Sequence, residues 1–307
     1  MKLSVVIPSY RRPAALMRCL DGLAQQTRPP DEVIVVARPD DAETLDVVRA
    51  ARLPVVIAEV TTAGLLAAMR AGADAATGDV IAFTDDDAVA RPDWAERLEA
   101  HFADAAVGGV GGRDFIAEET DGETSDFGRI SKWGRLVGNQ HLAVGPAHRV
   151  DVLKGVNMAF RRAALALPTE LRGQGAQIHS EIAICGWASS RGWRLILDPE
   201  VIVDHVPAWR PAGDSRRRRG RDTRDASFNF VFGLLSTRPG LARRRAAYGV
   251  LIGDWLTPGL LRIAVALALR ERDVLRIAPA ALRGQLEALL AFARGRRQQM
   301  VPVADPP

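Results

Sequence analysis

A chain of 307 residues, 48% hydrophobic and 25% charged, is long enough for one large globular domain or a domain with an appendage. Two cysteines, Cys19 and Cys185, each among apolar neighbours at helical spacing, exclude a disulfide scaffold and fit buried thiols in a reducing, cytoplasmic compartment. The net charge of +4 hides an asymmetry: residues 1–206 hold 22 Lys and Arg against 29 Asp and Glu, and residues 207–307 hold 19 against 8, with no aromatics interleaved in the Arg runs as a single-strand platform requires, so no nucleic-acid partner is expected.

Residues 2–8 read as an apolar strand halted by Pro8, and Ser9-Tyr10-Arg11-Arg12-Pro13 as a loop. Leu16, Cys19, Leu20 and Leu23 give residues 14–26 helical spacing. A second strand, Val33 to Val36, stops at Arg38-Pro39-Asp40-Asp41. A helix over 44–51, a strand at 55–57 and a helix over 65–76 follow, and then the apolar run Val80 to Phe83 ends in Thr84-Asp85-Asp86-Asp87. This alternation predicts a doubly wound α/β sheet, whose ligands bind beyond the carboxyl ends of the strands. Pro8 to Tyr10, Arg38 to Asp41 and Asp85 to Asp87 therefore converge on one rim. Three consecutive carboxylates repel one another and need either full solvation or a cation. Oxygen ligands suit Mg²⁺ or Mn²⁺ carrying phosphates.

The run Val5-Val6-Ile7-Pro8-Ser9-Tyr10, then Val33 to Val36, Gly72, Ala76, Gly78-Asp79 and Phe83-Thr84-Asp85-Asp86-Asp87 together resemble the nucleotide-binding half of a family 2 glycosyltransferase with the GT-A fold. The resemblance spans residues 1–206. It implies a mixed GT-A sheet with flanking helices, divided into a nucleotide-sugar half (1–112) and an acceptor half (113–206), followed by a basic, helical extension (207–307). It further implies a nucleotide-diphosphate sugar, UDP-linked, as donor, and Mn²⁺ or Mg²⁺ as cofactor. Carried onto this sequence, Pro8, Ser9, Tyr10 and Arg11 line the nucleotide. Asp40 or Asp41 takes the place of the base-contacting Asp, since the usual Asp-rich turn is here Ala37-Arg38-Pro39-Asp40. Arg70, one position away from the family's Arg-Asn pair, is expected at a phosphate. Asp85 and Asp86 are expected to contact the nucleotide, and Asp87 to ligate the metal as the last member of a DxD-type cluster.

Residues 94–101 read as a helix and 107–114 as a glycine-rich strand without Walker or dinucleotide spacing. The polar stretch 114–150 is an excursion over the acceptor cleft. A strand over 152–162, expected to face the donor sugar, runs into a helix starting at Ala163, and a glycine-rich loop at 173–177 enters a helix carrying Glu181. Inverting transfer needs a base for the acceptor hydroxyl. The family's Glu-Asp pair is replaced by His179-Ser180-Glu181, which makes Glu181 the expected base and His179 the runner-up. Strands at 194–198 and 201–205 follow, and His205 matches a strand end that supplies a further metal contact in the family.

The Gln-x-x-Arg-Trp signature of processive synthases is not made by Trp209-Arg210-Pro211, so one sugar per encounter is expected, in cell-envelope, polysaccharide or glycolipid synthesis. The dense run Arg216 to Arg219, with Arg221 and Arg224, reads as a latch over the diphosphate or a membrane contact. Residues 248–269 are apolar but broken by Asp254, Pro258 and Arg262, which favours an interfacial segment over a span. An amphipathic helix over 279–297 completes the tail. Peripheral attachment to the cytoplasmic face of an anionic membrane is expected, with a glycan or lipid-linked acceptor. Two rivals remain: a nucleotidyltransferase, whose Gly-rich loop with Arg and Lys is missing after the first strand, and a degenerate GT-A domain that binds sugar nucleotides or partners without turnover.

Overall fold

The computed structural model describes residues 1–117, 121–173, 175, 177–206, 220–253 and 257–305. In chain order its elements are β1 (Leu3–Pro8), α1 (Pro13–Ala24), β2 (Glu32–Ala37), α2 (Ala42–Arg49), β3 (Val55–Glu59), α3 (Leu65–Ala75), β4 (Val80–Thr84), β5 (Ala88–Ala90), α4 (Trp94–His101) and β6 (Val107–Phe115). Short strands β7 (Arg129–Ile130), β8 (Leu136–Val137) and β9 (His148–Arg149) cross the polar excursion. Then come β10 (Asn157–Arg161), β11 (Ala166–Pro168), α5 (Ser180–Ser190), β12 (Arg194–His205), α6 (Gly220–Thr237), α7 (Ala242–Ala247), α8 (Leu260–Ala268), α9 (Arg272–Ala293) and β13 (Met300–Pro302).

One nine-stranded mixed sheet organises the chain, in the order β3-β2-β1-β4-β10-β6-β12-β5, with β9 paired to β12. The strands β3, β2, β1 and β4 run parallel, as short apolar runs joined by helices must. β10 enters antiparallel between β4 and β6, and β12 returns parallel to β6. β1, β4, β6 and β12 therefore all end at one rim. Successive residues of β1 point to opposite layers. Val5 and Ile7 join Leu16, Leu20 and Trp94 on one side, while Val6 joins Met69 on the other. Both faces are covered, which is why the strands read as continuous apolar runs.

The segment after Ala163 forms a single 3-10 turn and then the strand β11, not a helix. Leu165, Ala166 and Leu167 are all buried, and β11 pairs antiparallel with β13. The two strands expected at 194–198 and 201–205 are one strand, β12, with a register shift between Asp198 and Ile202 that lets Pro199 pass. The residues after 220 share the core of the sheet: Phe228 and Phe232 of α6 and Ala288 of α9 belong to the same buried cluster as Val6, Ile34 and Trp187. Within 248–269, a π-type turn at Tyr248–Ile252 precedes α8, and Asp254 lies outside the described residues. Among the described residues no helix is long and apolar enough to cross a membrane. Cys19 and Cys185 are free and buried in α1 and α5.

Candidate donor and metal site

The acidic turn leaves β4 at Thr84 and returns as β5, which pairs with the end of β12 and sets His205 opposite Ala88. This pairing brings His205, over a hundred residues away in sequence, beside the carboxylates. Asp85, Asp87 and His205 can each turn one ligand atom to within 4.8 Å of the others. Two oxygens and an imidazole nitrogen form a donor set that fits Mn²⁺ or Mg²⁺. Asp86, fully buried, accepts from Ser9 Oγ at 2.7 Å and meets Arg12 Nη2 at 2.5 Å. Arg12 also reaches Asp87 Oδ2 at 3.1 Å. Burial pushes the Asp86 carboxyl up to about 7, against the pull of Arg12 and Ser9 and with the help of Asp87 and Asp85.

His205 lies 3.4 Å from Asp87 and 3.7 Å from Asp114. Burial opposes its charge, but the two carboxylates raise it to about 9. Asp114, at the end of β6, is buried, which alone would raise its carboxyl. His205 and Lys154, which pairs with it directly, hold it below the usual carboxylate range. The acidic turn thus meets the Arg12 guanidinium and the His205 ring, while the Lys154 ammonium pairs with Asp114 on the far side of His205.

The first loop carries the remaining donor-side residues. Arg11 sits at φ 52, a left-handed conformation held by its N–H donating to Asp41 Oδ2 at 2.5 Å. Asp41 is buried and caps α2 through Thr44, with Thr44 Oγ1 at 2.7 Å from Oδ2. Its neighbour Asp40 remains half-exposed and pairs with Arg38 at 3.3 Å and Arg11 at 3.6 Å. Arg11 and Arg38 lie 5.0 and 5.1 Å from the ring centre of Tyr10 and both pair with Asp40, so Tyr10, Arg11, Arg38 and Asp40 form one polar cluster beyond the ends of β1 and β2. Of the two candidate aspartates, Asp40 alone has its carboxylate turned outward.

One expected residue is placed otherwise. Arg70 does not join the rim. Its guanidinium donates to the carbonyls of Val301 at 2.8 Å and of Leu167 and Pro302 at 3.4 Å each, clasping β13 onto β11. One position on a helix turns a side chain by about 100°, and here it faces the C-terminal strand. In β10, Asn157 is fully buried, accepts from Trp94 Nε1 at 2.9 Å and donates to Val201 O at 2.8 Å and Arg113 O at 3.1 Å, so it ties strands together. Arg216 to Arg219 lie outside the described residues, while Arg224 pairs with Glu287 at 2.6 Å.

α5 packs against β11 and β12, and the segment entering it carries the remaining expected residues, His179 and Glu181. Gln177 Oε1 accepts from Leu66 N at 2.8 Å, and Gly175 O from Leu65 N at 3.0 Å, so the loop entering α5 is bound to the start of α3. His179, at φ 72, precedes the helix and is buried against Phe230, with ring centres 5.4 Å apart. Its Nδ1 is 3.7 Å from Glu181 Oε1, and Glu181 retains part of its surface.

The family described as Glycosyltransferase like family 2 matches residues 2–224. The chain belongs to glycosyltransferase family 2. Among the relatives of this family 2 glycosyltransferase, a glucosyl-dolichyl phosphate glucuronosyltransferase of Haloferax volcanii is 30% identical over 179 residues, covering 53% of each chain. An uncharacterized glycosyltransferase, YwdF, of Bacillus subtilis is 36% identical over 101 residues, 32% of this chain and 37% of YwdF. The chain thus spans about half or less of the length of these curated relatives. In fold it is similar to the mannosyltransferase PcManGT from Pyrobaculum calidifontis in complex with GDP-Man and Mn²⁺ (TM-score 0.53, 21% identity, covering 95% of this chain and 86% of that one). It is likewise similar to S. aureus TarS 1-349 in complex with UDP-GlcNAc (TM-score 0.61, 14% identity, 96% and 93%). The GT-A architecture of the family is therefore present across nearly the whole chain.

Three residues of this glycosyltransferase's rim escape a reading of the sequence: Arg12, Asp114 and Lys154. Arg12 stands directly beside Arg11, and that adjacency is the available signal. Asp114 and Lys154 carry no local signal, since only the pairing of β6 with β10 and β12 brings them to His205.

Proposed function

We propose that the chain is an inverting glycosyltransferase that moves a sugar from a nucleotide-diphosphate sugar, UDP-linked, onto the hydroxyl of a glycan or lipid-linked acceptor, one sugar per encounter, at the cytoplasmic face of the envelope. The observation that carries this reading is the gathering of Asp85, Asp87 and His205 within 4.8 Å at the rim where the parallel strands end. Asp87 and His205 would hold Mn²⁺ or Mg²⁺, with Asp85 beside them. Bound there, the cation would offset charge on the leaving diphosphate. Asp40 accepts from the base N3–H, and Tyr10 and Arg11 border the base. Asp86, clamped by Ser9 and Arg12, keeps the turn in shape. Glu181 takes the acceptor proton as its oxygen attacks C1 from the face opposite the nucleotide. The complexes of related folds with GDP-Man and with UDP-GlcNAc support a nucleotide-sugar donor.

The test is thermal stability against UDP, GDP, dTDP and ADP, each with and without Mn²⁺ or Mg²⁺. A ligand that binds only the folded chain raises its apparent stability. A metal-dependent rise with one nucleotide, abolished in Asp87→Ala, is expected. No rise with any nucleotide returns the chain to the degenerate-domain reading. For the base, Glu181→Gln is expected to lower kcat by roughly 10²- to 10⁴-fold. Transfer within a few-fold of wild type would move the role to His179.

A further inference from the structure

The basic C-terminal part ends its apolar run on the surface. α8 buries only Ala266 among its nine residues. Leu260, Leu261, Leu267 and Leu269 stand 56%, 59%, 62% and 66% exposed, and Leu251 and Ile252, on the π-type turn that packs against α8, stand 57% and 49% exposed. Soluble chains scatter exposed apolar residues singly, and a contiguous group of this kind marks a contact surface.

Charge selects the partner. Arg243, Arg244 and Arg270 are exposed at the two ends of this apolar run. Among the described residues from 239 to 271 the sole acidic side chain is Glu271, and it is paired with Arg262. A second copy of the chain placed symmetrically on this face would set arginine against arginine. Anionic headgroups would neutralise the same arginines while the leucines enter the acyl boundary. A helix of nine residues is about 14 Å long against a hydrocarbon core of about 30 Å, so α8 can lie in the interface and cannot cross it.

We infer that α8 and the turn at Tyr248–Ile252 form a docking face for an anionic phospholipid bilayer, with the leucines inserted and Arg243, Arg244 and Arg270 at headgroup level. The inference does not depend on the transferase reading, because the face lies outside the donor residues.

Co-sedimentation of the full chain with phosphatidylcholine vesicles, with and without phosphatidylglycerol, tests it. Binding to the anionic vesicles that weakens with added salt is expected. The pair Leu261→Asp and Leu267→Asp should reduce it at least tenfold. Replacing Arg243, Arg244 and Arg270 by Gln should reduce it by roughly a hundredfold at low salt. Both sets lie on the surface, and an unchanged thermal transition will show that they fold. Wild type that ignores anionic vesicles overturns the inference. So does a leucine variant that still binds, or wild type that is a dimer in solution and becomes monomeric in that variant with vesicle binding unaltered.

Discussion

Adjacent aspartates do unlike work in this chain, and burial sorts them. Asp41 is buried, caps α2 and fixes the left-handed Arg11, while Asp40 is half-exposed and holds only ion pairs. Asp41→Ala is therefore expected to cost about 1–2 kcal/mol of unfolding free energy by urea titration. Asp40→Ala should leave that value within about 0.5 kcal/mol while weakening nucleotide binding. Equal effects of the two substitutions on stability would refute the division. The family resemblance asks for one aspartate at the end of β2, and in the sequence both read as the same turn residue. What separates them, the Thr44 hydroxyl and the Arg11 amide closing on one carboxylate, exists only once the loop has folded. Three consecutive carboxylates, by contrast, are conspicuous in any context, and His205 stands out as a histidine ending a strand.

At the scale of elements, helices and strands with strong periodicity are where their residues predict, from β1 through α4. The misreading after Ala163 has a tertiary cause: a run of small apolar residues has helical propensity, but β13 offers a strand edge and the buried side chains fit it. The tail contains a similar device. Glu287 on α9 takes Arg172 at 2.5 Å, Arg224 of α6 at 2.6 Å and Arg283 at 3.0 Å. Hydrogen bonding from Arg224, opposed by partial burial and aided by Arg172 and Arg283, lowers its carboxyl from 4.5 to about 2. A depressed carboxylate contributes stability above its unfolded value and loses it as pH falls towards the folded one. Glu287→Gln should therefore destabilise the chain at neutral pH by about 1 kcal/mol, a surface network being screened by water. The gap between the two proteins should close between pH 4.5 and about 2 in urea unfolding curves. A gap that persists unchanged at the acid end would mean that packing of the side chain, not its charge, matters.

For the molecule as a whole, composition marks an acidic part followed by a basic helical extension, and the two share one buried cluster. Phe228, Phe232 and Ala288 complete the core beneath the sheet, and the family match itself continues to residue 224. Charge counts cannot reveal this, because they record the solvated face of α6 and α9 and not the buried one. Arg70 spans the join, from α3 to the carbonyls of β13. Arg70→Ala is expected to lower the midpoint of thermal unfolding, at a cost of about 1–3 kcal/mol, and to leave the nucleotide-induced rise intact. A loss of that rise with unchanged stability would return Arg70 to the phosphates.

The position of β10 also bears on how the chain reaches this state. β6 has no neighbour in the sheet until residues 157–161 arrive to fill the place beside β4 and residues 194–205 the place on its other side. A fragment cut at residue 112 would carry most of β6 as a sticky, unpaired apolar ribbon, and a fragment starting there would lack the wall onto which β10 folds. The strands β1 to β4 pair through nearby segments, whereas the corner of Asp85, Asp87 and His205 is complete only once β12 has paired with β5, so the contacts that close it are the most distant in sequence.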